Sequence, residues 1–213
     1  RMPSRGLGDV YKRQGRKHGI PLIVDNTAAP VLCRPFDHGA AVTTYSTTKY
    51  IGGHGTTIGG LILGGGNFDW GEAGADRQPA LNTPDPCYGG VVWDQQVTKT
   101  MGLPFAYLLK LRTTLLRDLG GAMSPFSAWM FIQGLETLPL RMREHAKNAQ
   151  AVAEFLENND KVQSVTYPGL FEGAEREKAD KYMKGGYGAL IGFELPGGKE
   201  AGSKFIDSLE LLY

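Results

Sequence analysis

The chain has 213 residues, 41% of them hydrophobic and 21% charged, with a formal net charge of +1; that is enough apolar material for one large domain, or one and a half smaller ones, with a core. Scattered Lys and Arg leave no basic field to draw nucleic acid or an anionic membrane, and no apolar run nears the roughly 18 residues of a membrane span, so a small-molecule partner is expected. Cys33 and Cys87 fit neither a metal-binding spacing nor a disulfide framework and the first residues lack a secretory signal's apolar middle, which together point to the cytoplasm.

Residues 1–14, RMPSRGLGDVYKRQ, carry no helical or strand period, and the sequence stops at Tyr213 inside an apolar helical pattern. Both ends are read as cut, and residues 1–14 as foreign to the rest. From Gly15 a helix end runs into Pro21, and LIVDN, closed by Asp25 and Asn26, predicts a buried strand. Residues 27–40 are read as a loop with one helical turn, AVTTYS predicts a second strand ending near Ser46, and a crossover of this length permits the two to be parallel. TTKYIGGHGTTIGG is too rich in glycine for a regular element, so Lys49 sits on a loop between strands, the third being LIL at 61–63. Residues 64–103 show no sustained period and read as a long surface or active-site excursion.

Helical spacing of Phe105, Leu108, Leu109, Leu115, Leu116 and Leu119 predicts a helix with one buried face, ended by Gly120 and Gly121. Ser124 as N-cap with Pro125 at the first helical position opens a second helix through SAWMFIQGLETL. A third, roughly 139–158, sets Leu140, Ala149, Val152, Ala153, Phe155 and Leu156 on one face. Gly134 and Pro139 punctuate this region and place a domain boundary there, giving domains of 15–136 and 137–213. Beyond Lys161 the pattern is an α+β unit: VQSVTY as strand, a charged helix over 173–184, GALIGFEL as strand, and a helix from Lys199.

Chemistry concentrates at the strand ends. In an open α/β sheet the carboxyl ends of parallel strands face the ligand crevice, so Asp25 and Lys49 would share one pocket. A pyridoxal cofactor needs such a pair: an amine to form a Schiff base with its aldehyde and a carboxylate to keep its ring nitrogen protonated. Ser46 and Thr48 flank the lysine with hydroxyls suited to a phosphate. Against this stand the ordinary readings. A Lys in a glycine-rich loop is more often a solvated charge, a strand-end Asp a turn cap, and Ser or Thr there a partner for backbone groups; spacing alone leaves both open. His54 has no companions at ligand spacing, so no metal is assigned. The glycine loop lacks the Gly-Lys-Ser/Thr of a nucleotide-binding loop. Arg141, Arg143 and Glu144 read as a solvated charged face.

YSTTKYIGGHG at 45–55 is similar to the lysine-site signature of the Cys/Met metabolism PLP (pyridoxal 5'-phosphate) enzymes. VDNT at 24–27 resembles that family's cofactor-aspartate motif, and LRDLGGAMSPFSAWMFIQGLETLPLRMREHAKNA its domain-linking helices. Within the family, IGGHGTTIGG, NFDW and PDPCYGGVVW look like the O-acetylhomoserine sulfhydrylase branch, with Ala41, Tyr45, Cys87 and Gly89 departing from the usual residues. The resemblance implies a type I, aspartate-aminotransferase-like α/β fold: part of the PLP-binding large domain, then part of an α+β C-terminal domain, assembled as a homotetramer. It implies Lys49 as Schiff-base lysine and proton shuttle, Asp25 on the pyridine nitrogen, and Ser46 and Thr48 on the phosphate. The implied reaction is γ-replacement, O-acetylhomoserine plus sulfide or a thiol giving homocysteine or a thioether plus acetate. Cystathionine γ-synthase, cystathionine γ-lyase and methionine γ-lyase are its rivals within the family, and an inactive remnant or interaction subunit is the rival outside it. Earlier segments that complete the family's site, and the arginine for the substrate carboxylate beyond Tyr213, are not in this sequence, so the piece alone is expected to be inactive.

Overall fold

The structure, a computed structural model, describes residues 14–211 apart from Arg16 and Ala73; residues 1–13 of the expected foreign leader lie outside that range. Contacts group the chain into two units. One holds the described residues up to Thr27 together with Arg34–Glu136; the other holds Ala28–Cys33 and the chain from Thr137 onward.

The first unit is built on a three-stranded sheet of order β1-β2-β3: β1 (Ile23–Asp25), β2 (Val42–Ser46) and β3 (Gly60–Gly64). β1 and β2 are parallel, with Asp25 opposite Thr44, and β2 and β3 are antiparallel, with Ser46 opposite Gly60. β2, rich in β-branched residues, is central and buries Val42 and Thr43.

The excursion after β3 is a correction to the sequence reading. It holds two short helices, α1 (Gly74–Arg77) and α2 (Pro79–Asn82), a 3-10 turn at Pro86–Tyr88 and a wide, π-type turn at Asp94–Thr100. Rather than lying on the surface, it supplies Trp70, Leu81, Trp93 and Val97 to the same buried cluster as Ala41, Val42 and Ala106. Isolated large anchors separated by polar residues leave no period to read, yet each buries as much as a strand's worth of aliphatics. Trp70 stacks on Tyr107 with centroids 4.6 Å apart. The Trp93 indole N–H and the Lys110 ammonium both donate to Asp85 Oδ2, at 2.8 and 2.5 Å. These bonds, that from Lys110 the stronger, hold the carboxyl below its ordinary range. Helix α3 (Ala106–Lys110) runs on into π-type turns over Leu111–Arg117. Its expected buried face is narrower than the leucines suggest: Ala106 is buried while Leu115 and Leu119 are exposed.

The two helices expected to meet at Pro139 are one, α4 (Pro125–Glu157). Ser124 caps it as expected, accepting from the Ser127 amide at 3.1 Å. Phe131, Leu138, Met142, Ala146, Ala149 and Ala153 are all buried, a helical repeat that passes through the proline without a break. Burial along that stripe outweighs the amide bond Pro139 cannot make. Of the face expected from sequence, Ala149 and Ala153 are buried, whereas Leu140, Val152 and Phe155 are exposed.

The second unit pairs β4 (Ser164–Thr166) antiparallel with β5 (Gly192–Glu194) and carries α5 (Gly173–Tyr182) and α6 (Gly198–Asp207). Tyr167, fully buried beside Ala149 and Ala153, donates its hydroxyl to Gly188 O at 3.1 Å. Residues 28–33, placed by the sequence reading in the first domain, join this unit through the Lys184 amide bond to Leu32 O and a bridge between Cys33 and Met183.

Replacing Pro139 by Ala restores an amide donor toward Leu135 O and removes the ring's clash with that carbonyl. After the offset from a less restricted unfolded chain, the expected gain is about 1–2 kcal/mol, seen calorimetrically as a rise in Tm of a few degrees. A fall in Tm would mean that packing requires the interruption.

Candidate active site

Because β1 and β2 are parallel, both end at the same edge of the sheet, and the candidate residues lie there. Asp25 is the last residue of β1 and Ser46 the last of β2. Asp25 folds back on its own chain: Oδ1 accepts from the Thr27 amide at 2.9 Å and from the Thr27 hydroxyl at 2.5 Å, a turn that an Asp two residues before a Thr favours. The same Thr27 oxygen accepts from the Ser46 amide at 2.8 Å. One hydroxyl therefore ties the end of β2 to the carboxylate at the end of β1. The Thr27 hydroxyl, and after it the Thr27 amide, hold the Asp25 carboxyl below its ordinary value of 3.8, so it stays ionised. Beside this relay the buried Asn26 donates to the Tyr45 hydroxyl at 3.0 Å.

Lys49 stands on a π-type turn, Thr47–Ile51, that follows β2 directly. Its φ of −84° and ψ of −122° interrupt the helical run, and its side chain is exposed. The turn is stitched from within: Gly52 N–H donates to Thr47 O at 2.8 Å and Gly53 N–H to Lys49 O at 2.7 Å. It is also closed onto the strand that follows, since Thr47 N–H donates to Gly59 O at 3.0 Å. His54, left without a ligand role in the sequence reading, sits with Nδ1 2.7 Å from Gly52 O, a contact within this loop.

Ser46 lines a cleft of about 980 Å³ together with Gly59, Gly60, Ile62, Leu108 and Arg112. Thr48 is committed elsewhere: its hydroxyl accepts from Gly59 N–H at 3.0 Å and donates to Gly59 O at 3.3 Å. The structure thus brings Asp25, Ser46 and the Lys49 turn to one edge. No ion pair joins Lys49 to Asp25; the connection runs through Thr27 and Ser46. Thr27 was quoted within VDNT but given no role, although an Asp-x-Thr turn at a strand end is a local signal that could have found it.

The donor set suits an aromatic aldehyde cofactor with a phosphate. An exposed lysine amine and an ionised carboxylate stand at neighbouring strand ends, and Ser46 is among the residues lining a roomy cleft. These are features of a class of α/β enzymes that hold such a cofactor on a lysine. Sequence comparison places the chain within it: the profile of the Cys/Met metabolism PLP-dependent enzymes matches residues 9–213, and the chain belongs to that family. The match takes in residues 9–14, which the sequence reading had set apart as foreign.

Relatives include an O-acetyl-L-homoserine sulfhydrylase of Leptospira meyeri, 47% identical over 95% of this chain and 46% of its own length. A homocysteine synthase of Schizosaccharomyces pombe is 47% identical over 91% of this chain and 44% of its own. A crystallised Campylobacter jejuni protein named as an O-acetylhomoserine (thiol)-lyase superposes with a TM-score of 0.83 at 34% identity, over 96% of this chain and 49% of that one. That structure carries a pyridoxyl-lysine monophosphate group. The fold is therefore that of the type I PLP enzymes, and the chain spans about half the length of the curated relatives it matches.

Changing Thr27 to Val removes the hydroxyl that Asp25 accepts from and that Ser46 donates to. The Asp25 carboxyl is expected to take up its proton at a higher pH, closer to 3.8, and the Ser46 amide to lose protection. Carbon-detected NMR titration and amide hydrogen exchange read the two effects; an unmoved Asp25 titration would break the relay.

Proposed function

We propose that the protein works as a PLP-dependent γ-replacement enzyme, turning O-acetylhomoserine and sulfide or a thiol into homocysteine or a thioether and acetate. In that reaction the γ C–O bond breaks, acetate leaves with the electron pair, and sulfur forms the new C–S bond and gives up its proton. The observation that carries the reading is the relay through Thr27, which sets an ionised Asp25 and the Lys49 turn on one sheet edge. It is supported by 47% identity to an O-acetyl-L-homoserine sulfhydrylase.

When bound, the cofactor supplies an electron sink for the carbanion next to the substrate's amino group. Lys49 Nζ would hold the cofactor covalently and would carry protons between substrate carbons. Asp25, its carboxyl pKa lowered by Thr27, would hold the ring nitrogen protonated. Ser46 would donate to the phosphate, as would Thr48 in place of its bond to Gly59. The substrates are small, and no helix among the described residues is long and apolar enough to cross a membrane; the reading places the enzyme in the cytoplasm. It carries a homo-oligomer, a tetramer, for which exposed Phe126, Trp129 and Ile132 supply apolar contact surface.

Incubation with PLP followed by borohydride is expected to leave a phosphopyridoxyl group on the Lys49 peptide, with visible absorbance before reduction. In a chain completed to the length of its relatives, Lys49→Ala is expected to lose both, and Asp25→Asn to keep bound cofactor but lose at least about a hundredfold in turnover. With sulfide present, acetate should appear without ammonia or a 2-oxo acid. Visible absorbance undiminished in Lys49→Ala would remove the lysine from its role, and release of ammonia with a 2-oxo acid would make the enzyme a lyase.

A further inference from the structure

Helix α4 meets the lysine loop at three successive points of one face. Ser127 Oγ accepts from the Thr57 hydroxyl at 3.0 Å. Phe131, 4% exposed, lies with its ring between Gly52 and Gly59. A methyl group on Gly52 would come within 3.1 Å of ring carbon Cε1, and one on Gly59 within 2.6 Å of Cε2. Gly134 abuts the backbone: a Cβ there would overlap Ile51 O and stand 2.8 Å from Gly52 O. Positions 127, 131 and 134 are spaced i, i+4 and i+7, so one stripe of helix surface makes all three contacts.

The two glycines of the loop and the one on the helix serve the same end, close approach. Gly52 has ordinary right-handed helical dihedrals, φ −68° and ψ −48°, which any residue adopts. What crowds a side chain there is Thr47 O, 3.0 Å from such a Cβ, together with the Phe131 ring. Gly59 is the residue whose amide and carbonyl also take the Thr47 and Thr48 bonds. Thus the backbone that follows Lys49 is pressed against α4 at Gly52 and Gly59, where hydrogen bonds of the loop close.

We propose that the Ser127–Phe131–Gly134 face of α4 is a positioning device for Lys49: it fixes the loop's backbone so that a long, flexible side chain projects from a rigid base. Phe131 and Gly134 are positioning residues, acting through Ile51, Gly52 and Gly59. The inference rests on Lys49 as the cofactor lysine for its consequence, while its physical content, loop immobilisation, is independent of cofactor. Displacing a reacting group by about 1 Å costs on the order of a hundredfold in rate, and a Cβ at Gly134 forces a shift of that size on the carbonyls of Ile51 and Gly52.

The test compares the full chain with Gly134→Ala, Phe131→Ala and Phe131→Leu, and with Gly202→Ala as control, since nothing lies within 4 Å of a Cβ at Gly202. The first readout is borohydride-trapped PLP on Lys49, as a ratio to labelling of exposed Lys147 and Lys161 so that general loss of stability cancels. The second, without cofactor, is hydrogen exchange at the Gly52 and Gly53 amides. Gly134→Ala and Phe131→Ala are expected to lower the Lys49 ratio about tenfold or more and to speed both amides at least tenfold. Phe131→Leu should restore much of each, and Gly202→Ala should change neither. Should Gly134→Ala fail to fold, the two Phe131 variants decide alone. Unchanged exchange in folded variants overturns the proposal. If the unaltered protein shows no preference for Lys49, the cofactor assignment fails while the exchange result still decides the clamp.

Discussion

The site depends on a hydrogen bond that belongs to neither strand ladder. Parallel pairing of β1 and β2 brings their ends to one edge, but the last residue pair in register is Asp25 with Thr44, two residues short of Ser46. The Thr27 hydroxyl spans the difference, receiving the Ser46 amide and donating to Asp25. The bond that crosses between the strands, from the Ser46 amide to the Thr27 hydroxyl, is part-buried and contributes about 0.5–1.5 kcal/mol. The same oxygen has an electrostatic effect through its other bond, because the hydroxyl that accepts from Ser46 donates to Asp25 and lowers its carboxyl's pKa.

From Ser46 the constraint passes along the backbone. Three residues on, Lys49 is exposed, and its four-carbon stem has many rotamers. An arm of that kind delivers its amine to one place only if its shoulder is fixed. The shoulder is held by Thr27 before the turn, by Gly59 across it and by Phe131 after it. Thr48 belongs to this framework as it stands: both its hydrogen bonds go to Gly59, so contact with a phosphate requires it to exchange one of them. Ser46, which lines the cleft, needs no such exchange.

Periodicity in a sequence reports which residues alternate in polarity, and it went wrong where burial follows another rule. Pro139 reads as a stop because its missing amide is a local cost, whereas the stripe from Phe131 to Ala153 that carries α4 past it is made by neighbours distant in sequence. Small alanines fill that stripe, while Leu140, Val152 and Phe155, which weigh most in any hydrophobicity count, point away from it. The excursion after β3 failed for the opposite reason: its burial is concentrated in Trp70 and Trp93, too few residues to make a pattern. The passage of residues 28–33 to the second unit rests on a single backbone bond and a bridge, and no side-chain pattern encodes either.

The candidate residues were more legible than the architecture that holds them. An amine and a carboxylate each placed just past an apolar run can be read from one sequence, because strand ends are local signals and the parallel connection supplies the juxtaposition. The reading of Thr48 from its place beside Lys49 did not find its present partner, since adjacency in sequence fixes reach and says nothing of competition from Gly59. The clamp was not legible at all. The glycine run reads as an irregular segment and Gly134 as punctuation, but at Gly52, Gly59 and Gly134 each missing Cβ lets another group come into contact. Only the third dimension distinguishes a glycine that permits motion from one that permits packing, and around Lys49 the distinction decides whether the loop is a hinge or a mount.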